Sequence, residues 1–123
     1  MAKPHPTFDE PRKVLLSVNS KDPAILNNIL YNTVNIQKYY TQDLVRIAVV
    51  GYGPGIRMLL KDSPVAARVR SLMQYDIEFV ACGNTLDAIG KKDSDLIAGV
   101  KRVQAGLPEV IERRLMGWID LNP

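Results

Sequence analysis

The sequence predicts an α/β fold with a mainly parallel sheet and helices on both of its faces. Short apolar runs rich in β-branched residues alternate along the chain with segments whose apolar residues recur at helical spacing. This alternation is typical of βαβ units, in which a helix connects two parallel strands. The length of 123 residues is that of a single domain. We therefore expect one domain over residues 13–123, preceded by a flexible arm over residues 1–12.

Five strands are predicted from the apolar runs. The clearest is the run from Val45 to Val50, which a glycine-rich segment ends. A run buried on both faces is expected to be almost continuously apolar, as this one is. The five strands are expected at residues 14–18, 45–50, 77–81, 100–103 and 118–121.

Helix starts are marked by capping residues. Asp22 followed by Pro23 predicts the beginning of a helix that continues to Tyr40, because aspartate caps an amino terminus and proline suits the first helical position. Ser63 and Pro64 predict a second start of the same kind. Shorter helices are expected at 56–60, at 84–89 with Asn84 or Thr85 as the cap, and at 108–116 with Val110, Ile111 and Leu115 facing inward and Gly117 as the stop.

The charge pattern argues against a nucleic-acid partner. The chain carries 16 basic and 13 acidic residues, and the basic pairs have acids between or beside them, so no one-sided basic surface is predicted. No apolar run approaches the length of a membrane span, and the first residues lack a signal-peptide core. A single cysteine fits a reducing compartment. We expect a cytoplasmic protein without membrane or nucleic-acid contacts.

Three loops are candidates for a functional site, because open α/β sheets bind ligands at the carboxyl ends of their strands. They are residues 19–22, 51–55 and 82–85. The preceding strands should be neighbours in the sheet, so the three loops are expected to converge on one crevice. The binding residues predicted there are Asn19, Tyr52, Gly53, Gly55, Arg57, Gly83, Asn84 and Thr85.

Cys82, the only cysteine, is the predicted catalytic residue. It follows an apolar strand and precedes a helix, where backbone N–H groups and the helix dipole stabilise a thiolate and lower its pKa. Gly83 beside it is expected to leave room for an approaching group. The alternative is that Cys82 is a small buried hydrophobic residue, since free cysteine is among the most buried residue types.

The glycine-rich loop over residues 51–55 does not predict a dinucleotide site. Ile56 stands where the third glycine of the fingerprint is required, and the loop follows the second strand instead of the first. An anion-binding nest beside Arg57 and a plain tight turn both remain open. The only histidine, His5, lies in the arm, which excludes histidine-dependent triads. We expect no metal and no cofactor.

Four segments together resemble the DsrE/DsrF-like family, and more narrowly its small single-domain, uncharacterised branch. They are the first strand over residues 13–18, the glycine loop with the following residues to Leu60, the turn 81–86 around Cys82, and the ending from Ala105-Gly106 to Gly117-Trp118. The resemblance implies a three-layer α/β/α sandwich around a five-stranded, mainly parallel sheet. It also implies homo-oligomers, commonly trimers or hexamers. In the family's sulfur-relay members a loop cysteine accepts sulfane sulfur as a persulfide, and Cys82 matches that role.

Three functions are consistent with these observations. The first is a sulfur carrier, similar to a sulfurtransferase, in which Cys82 exchanges sulfur with a donor or acceptor protein. The second is a non-catalytic, oligomeric module that binds a small anion in the crevice. The third is a redox sensor based on Cys82 oxidation. Whether the protein is an enzyme is left open by the sequence.

Overall fold

The sheet contains five strands, and all of its pairings are parallel. In the computed structural model, which describes all 123 residues, the strands are β1 (Arg12–Val18), β2 (Val45–Gly51), β3 (Glu78–Cys82), β4 (Lys101–Val103) and β5 (Ile119–Leu121). Their order is β4-β3-β2-β1-β5. The α/β class and the five strands predicted from the sequence are confirmed.

Four α-helices connect the strands: α1 (Pro23–Tyr40), α2 (Ala66–Met73), α3 (Gly83–Ala88) and α4 (Gly106–Leu115). Short 3-10 helices cover Gly53–Leu59 and Asp93–Asp95. The Asp22 carboxylate accepts the Ala24 N–H at 2.9 Å, which confirms the predicted cap of α1. None of the helices combines the length and the apolar composition that a membrane crossing requires.

Helices cover the two faces of the sheet unequally. On one face, 23 buried residues form a large core with side chains from α1, α2 and α3, among them Leu26, Val69 and Leu86. On the other face, α4 covers a smaller core of five buried residues, namely Leu15, Ala48, Val50, Val80 and Val110. The strands supply both cores because their side chains alternate between the faces.

The connections place α3 and α4 on opposite faces of the sheet. From β1 to β4 the chain moves across the sheet in one direction, with its helices on the large-core face. After β4 it returns through α4, on the opposite face, to reach β5 beside β1. Helices α3 and α4 therefore leave the neighbouring strands β3 and β4 toward opposite faces. A divergence of this kind at the carboxyl ends of strands is where α/β sheets form their binding crevices.

Several predicted helix boundaries were wrong. Helix α2 begins at Ala66, although the Ser63 hydroxyl does accept the Val65 N–H at 3.2 Å. Helix α3 begins directly after Cys82, which itself occupies the N-cap position predicted for Asn84 or Thr85. Helix α4 begins at Gly106, two residues before the predicted start.

The inward face of α4 was also predicted incorrectly. Ile111 and Leu115 are 57% and 78% exposed, whereas Val110 and Arg113 are buried. Arg113 is accommodated because Glu78, at the start of β3, neutralises it. The predicted stop of α4 is confirmed, since Gly117 has φ +93°, a conformation that favours glycine.

Candidate thiol site

Cys82 ends β3 and directly precedes α3. Its side chain lies on the same face as Val80, the face that α4 covers, because the two residues are separated by one position in a strand. The residue is 6% exposed, so the side chain is almost entirely covered by its neighbours. The predicted placement of the cysteine at the carboxyl end of a strand is confirmed.

The surroundings of Cys82 favour the ionised sulfur. Burial alone would raise the pKa of the thiol. This effect is outweighed by hydrogen-bonding groups around the sulfur: the Thr85 hydroxyl first, then the backbone N–H groups of Thr85, Gly106 and Asn84. The net result is a pKa below the ordinary value for cysteine, which increases the thiolate fraction near neutral pH.

Helix α4 contributes its first residue to this site. A Cβ atom on Gly106 would lie 3.2 Å from the Cys82 Cβ and 3.0 Å from the Tyr52 Cβ. Glycine at this position therefore lets the start of α4 approach the cysteine closely. The N–H groups in the first turn of a helix have no acceptor within the helix, so that of Gly106 is available to the sulfur. The half-buried side chain of Tyr52 stands beside the same point.

Gly83 fills a packing role. A Cβ on Gly83 would lie 2.6 Å from the Val103 carbonyl oxygen and 2.9 Å from the Arg102 Nε. The Asn84 N–H donates to the Gln104 carbonyl at 3.0 Å, which ties α3 to the end of β4. The space beside Gly83, which was expected to admit an approaching group, is occupied by Arg102 and Val103 of β4.

The loops after β1, β2 and β3 do converge. The Gly53 N–H donates to the Thr85 Oγ1 at 3.1 Å, which joins the loop after β2 to α3. The Asn19 Oδ1, after β1, lies 2.7 Å from where a Cβ on Gly53 would stand. A Cβ on Gly55 would lie only 2.0 Å from the Val18 carbonyl oxygen, so this glycine packs on the end of β1.

Two of the predicted binding side chains point away from these contacts. Arg57 is exposed and forms no ion pair. The Asn84 side chain is also exposed, and this residue contributes to the thiol through its backbone N–H. The groups that lower the pKa of Cys82 are therefore neutral, and Arg57 is not among them.

Comparison with known proteins identifies the family. The chain matches the DsrE/DsrF-like family over residues 4–118, which is nearly its whole length. The chain belongs to the DsrE/DsrF-like family. No curated protein matches this DsrE/DsrF-like chain.

Solved structures share the fold of this DsrE/DsrF-like protein. MTH1491 of Methanobacterium thermoautotrophicum, a protein of unknown function, is 30% identical with a TM-score of 0.87, over 91% of this chain and 99% of that one. The ychN protein of E. coli is 16% identical with a TM-score of 0.68, over 89% and 99%. BT1422 of Bacteroides thetaiotaomicron, a conserved protein of unknown function, is 16% identical with a TM-score of 0.66, over 90% and 94%. The last two likenesses concern the fold alone.

Sequence reasoning did not include Gly106 in the site of this DsrE/DsrF-like protein. The residue is 24 positions beyond Cys82 in the numbering and reaches it only because α4 crosses to the face on which the sulfur lies. The signal that could have found it is the segment Gly106-Leu107-Pro108-Glu109. Proline and glutamate are both favoured in the first turn of a helix, which places the helix start before Pro108.

A separate cavity of about 420 Å³ lies at the opposite edge of the sheet. It is lined by residues near the amino ends of β2 and β3, including Asp43, Arg46, Asp76 and Glu78. Cys82 takes no part in it, because the thiol lies at the carboxyl end of β3. The thiol and this cavity are therefore separate features of the molecule.

Proposed function

We propose that this DsrE/DsrF-like protein is a sulfur carrier that holds sulfane sulfur on Cys82 as a persulfide. The observation that carries the proposal is the position of the only thiol of the chain at the carboxyl end of β3, with the first residue of α4 packed against it. Hydrogen-bonding groups of Thr85, Gly106 and Asn84 hold the pKa of this thiol below its ordinary value despite its burial. Membership in a family with sulfur-relay members supports the same function.

The proposed reaction consists of two exchanges that balance without an added oxidant or reductant. The Cys82 thiolate attacks the outer sulfur of a donor persulfide, forming a new S–S bond while the donor's own S–S bond breaks and its thiolate leaves with the electron pair. A thiolate of the acceptor then attacks the outer sulfur on Cys82 in the same way. The acceptor becomes the persulfide, and Cys82 returns to the thiolate.

The presence of a single cysteine favours a sulfur carrier over a dithiol oxidoreductase. A dithiol oxidoreductase needs a resolving thiol, and this chain holds only Cys82. Any disulfide partner must come from another molecule, such as a donor or acceptor protein. Because only a small fraction of Cys82 is exposed, only a slender reacting group can reach its sulfur. The outer sulfur of a persulfide is such a group.

The test is sulfur loading followed by intact-mass measurement. Reduced protein incubated with inorganic polysulfide is expected to gain the mass of one sulfur atom, and Cys82→Ser is expected to gain none. The adduct should be removed by a reducing agent, because a persulfide is held by an S–S bond. No adduct with several donors, or an adduct that persists in Cys82→Ser, would contradict the proposal.

A binding module for a small anion is the second candidate. It is favoured by the convergence of three loops, in which Asn19, Gly53 and Thr85 lie together. Such a module would show ligand-dependent thermal stabilisation that survives Cys82→Ser, because the ligand would be held by the loops and not by the sulfur. Stabilisation that disappears with the cysteine would instead support the carrier.

Self-association is part of the proposal. The outer face of α4 exposes Leu107, Ile111 and Leu115, which recur every four residues and form one apolar stripe. Stripes of this kind mark protein contacts more often than isolated apolar residues do. A second copy of the chain, in a trimer or hexamer, is the proposed occupant of this face.

Light scattering coupled to size-exclusion chromatography checks the assembly. We expect the wild type to elute as a trimer or hexamer and Ile111→Glu to elute as a monomer, because a charge in the stripe would be buried without a partner. Ile25→Glu is the matched control, since Ile25 is exposed on α1 and lies outside the stripe. Equal masses for all three proteins would exclude α4 as the contact.

A further inference from the structure

The cavity of about 420 Å³ at the amino ends of β2 and β3 lies beyond the reach of α4. Arg46, which lines it, is on the same face of β2 as Ala48 and Val50, because side chains alternate along a strand. Ala48 and Val50 are buried in the small core under α4, whereas Arg46 is exposed. The central strand of a parallel sheet is normally apolar on both faces, so this charged residue marks a part of the sheet that α4 leaves open.

Two aromatic side chains border the cavity. Trp118 is half-buried, and the Arg113 guanidinium lies 4.8 Å from the centroid of its ring. Phe8 belongs to the segment before β1 and is 74% exposed. A turn holds this segment in shape, since the Thr7 N–H donates to the Glu10 carbonyl and the Glu10 N–H donates to the Thr7 Oγ1, both at 3.1 Å. Aromatic rings bind both alkyl chains and cations, as the contact between Trp118 and Arg113 illustrates.

Three of the charged residues that line the cavity form no ion pair. Glu78 and Lys101 are not among them, because Glu78 pairs with Lys101 at 3.2 Å and with Arg113 at 2.6 Å. The residues without an ion pair are Asp43, Asp76 and Arg46. All three are exposed, so two negative charges and one positive charge at the cavity remain available to a ligand.

The two aspartates lie on neighbouring loops of defined shape. The Gln42 side chain donates to the Asp76 carboxylate at 2.8 Å, which ties the loop before β2, with Asp43 in it, to the loop before β3. Thr41 and Asp76, with φ of +73° and +66°, are the only residues other than glycine in the left-handed region. Such conformations are costly, persist where the surrounding structure enforces them and are frequent at ligand sites. The backbone therefore brings the two carboxylates to the same end of the sheet.

We propose that this cavity binds a free basic amino acid, such as lysine, ornithine or arginine. Its two unpaired carboxylates and one unpaired guanidinium are complementary to a ligand with two cationic groups and one carboxylate. Arg46 binds the ligand carboxylate with two parallel hydrogen bonds, and Asp43 and Asp76 bind the two cationic groups. Phe8 and Trp118 pack on the alkyl chain between them. The volume of the cavity is near the lower end of the range for small-molecule sites, which suits a ligand of this size.

The first experiment compares ligands by NMR titration of the full chain. L-lysine and L-arginine are expected to give saturable shifts of the backbone amides of residues 42–47 and 76–78 and of the Trp118 indole N–H. Norleucine lacks the charge on the side chain and cadaverine lacks the carboxylate, so each should bind about tenfold more weakly than lysine, as for the loss of a hydrogen bond between charged groups. No saturable shift with lysine, or equal affinity for lysine and norleucine, would overturn the proposal.

The second experiment assigns the ligand carboxylate to Arg46. Arg46→Met should weaken lysine binding by about tenfold but should not weaken cadaverine binding, because cadaverine has no carboxylate to lose. Arg57→Met is the matched control: Arg57 is also exposed without an ion pair but lies beyond the carboxyl end of β2, so lysine should bind as in the wild type. Equal losses in the two variants, or equal losses of lysine and cadaverine in Arg46→Met, would refute the assignment. Neither experiment depends on the sulfur chemistry proposed for Cys82.

Discussion

Gly55→Ala is expected to lower the free energy of unfolding by more than about 3 kcal/mol, the range of severe overpacking. The added Cβ would stand 2.0 Å from the Val18 carbonyl oxygen and 2.5 Å from its carbon. Both are backbone atoms of β1, and the same carbonyl accepts the Tyr52 N–H at 3.1 Å. Relief would require β1 to separate from the loop after β2. Urea unfolding followed by circular dichroism measures the loss.

Gly90→Ala separates this clash from the ordinary cost of replacing a glycine. Gly90 has φ +72°, and a Cβ there would meet no atom within 4 Å. Its substitution should therefore cost only the backbone strain of the left-handed region, about 1–2 kcal/mol. If Gly55→Ala were no more destabilising than Gly90→Ala, the close approach of Gly55 to β1 would be wrong.

Arg113→Met is expected to cost about 3 kcal/mol, because it leaves the Glu78 carboxylate partly buried without its main partner. Two guanidinium nitrogens of Arg113 donate to Glu78 at 3.0 Å and 2.6 Å, and its Nε donates to Glu109 at 2.7 Å. The guanidinium also lies 4.8 Å from the centroid of the Trp118 ring. Arg102→Met is the control: the ion pairs of Arg102 are exposed, so a much smaller loss is expected in the same urea experiment.

The pH dependence of stability identifies the carboxylate responsible. Burial raises the pKa of Glu78, but the hydrogen bonds and charges of Arg113 and then Lys101 outweigh it and hold the pKa below its ordinary value. The unfolded chain therefore binds this proton more readily than the folded one, so the stabilisation is present above the ordinary glutamate pKa and is lost as the pH falls through the folded-state pKa. The stability difference between the wild type and Glu78→Gln should be constant near neutral pH and shrink below about pH 4.3. A difference that does not begin to shrink as the pH falls below the ordinary glutamate pKa would exclude this account.

The strands and the first helix could be predicted because their signals are local. Runs such as Val45–Gly51 are apolar on both faces, and Asp22 and Pro23 mark a helix start without reference to any distant residue. The face of α4 could not be predicted in this way. Hydrophobicity favours Ile111 and Leu115 as its buried residues, but the fold buries Arg113, because Glu78 lies 35 positions away in the chain and next to it in space.

The residues of the candidate site also differ in whether local sequence could predict them. Cys82 and Thr85 could be found from the strand-to-helix turn that contains both. Gly106 could not, since its contact with Cys82 depends on the face to which α4 crosses. Gly83 was misjudged for a related reason. A glycine beside a cysteine has the same local appearance whether the space is open or, as here, filled by the Val103 carbonyl.

The return of the chain through α4 has a consequence for the order of events during synthesis. Strands β1 to β4 and helices α1 to α3 lie within the first 103 residues, whereas Gly106 and the strand that pairs with β1 come after them. While a chain emerges from the ribosome, the small-core face of the sheet stays uncovered until these residues are available. A nascent chain that has not yet reached Gly106 lacks one of the backbone N–H groups that lower the pKa of Cys82, so the surroundings of the thiol are completed only when α4 packs on the sheet.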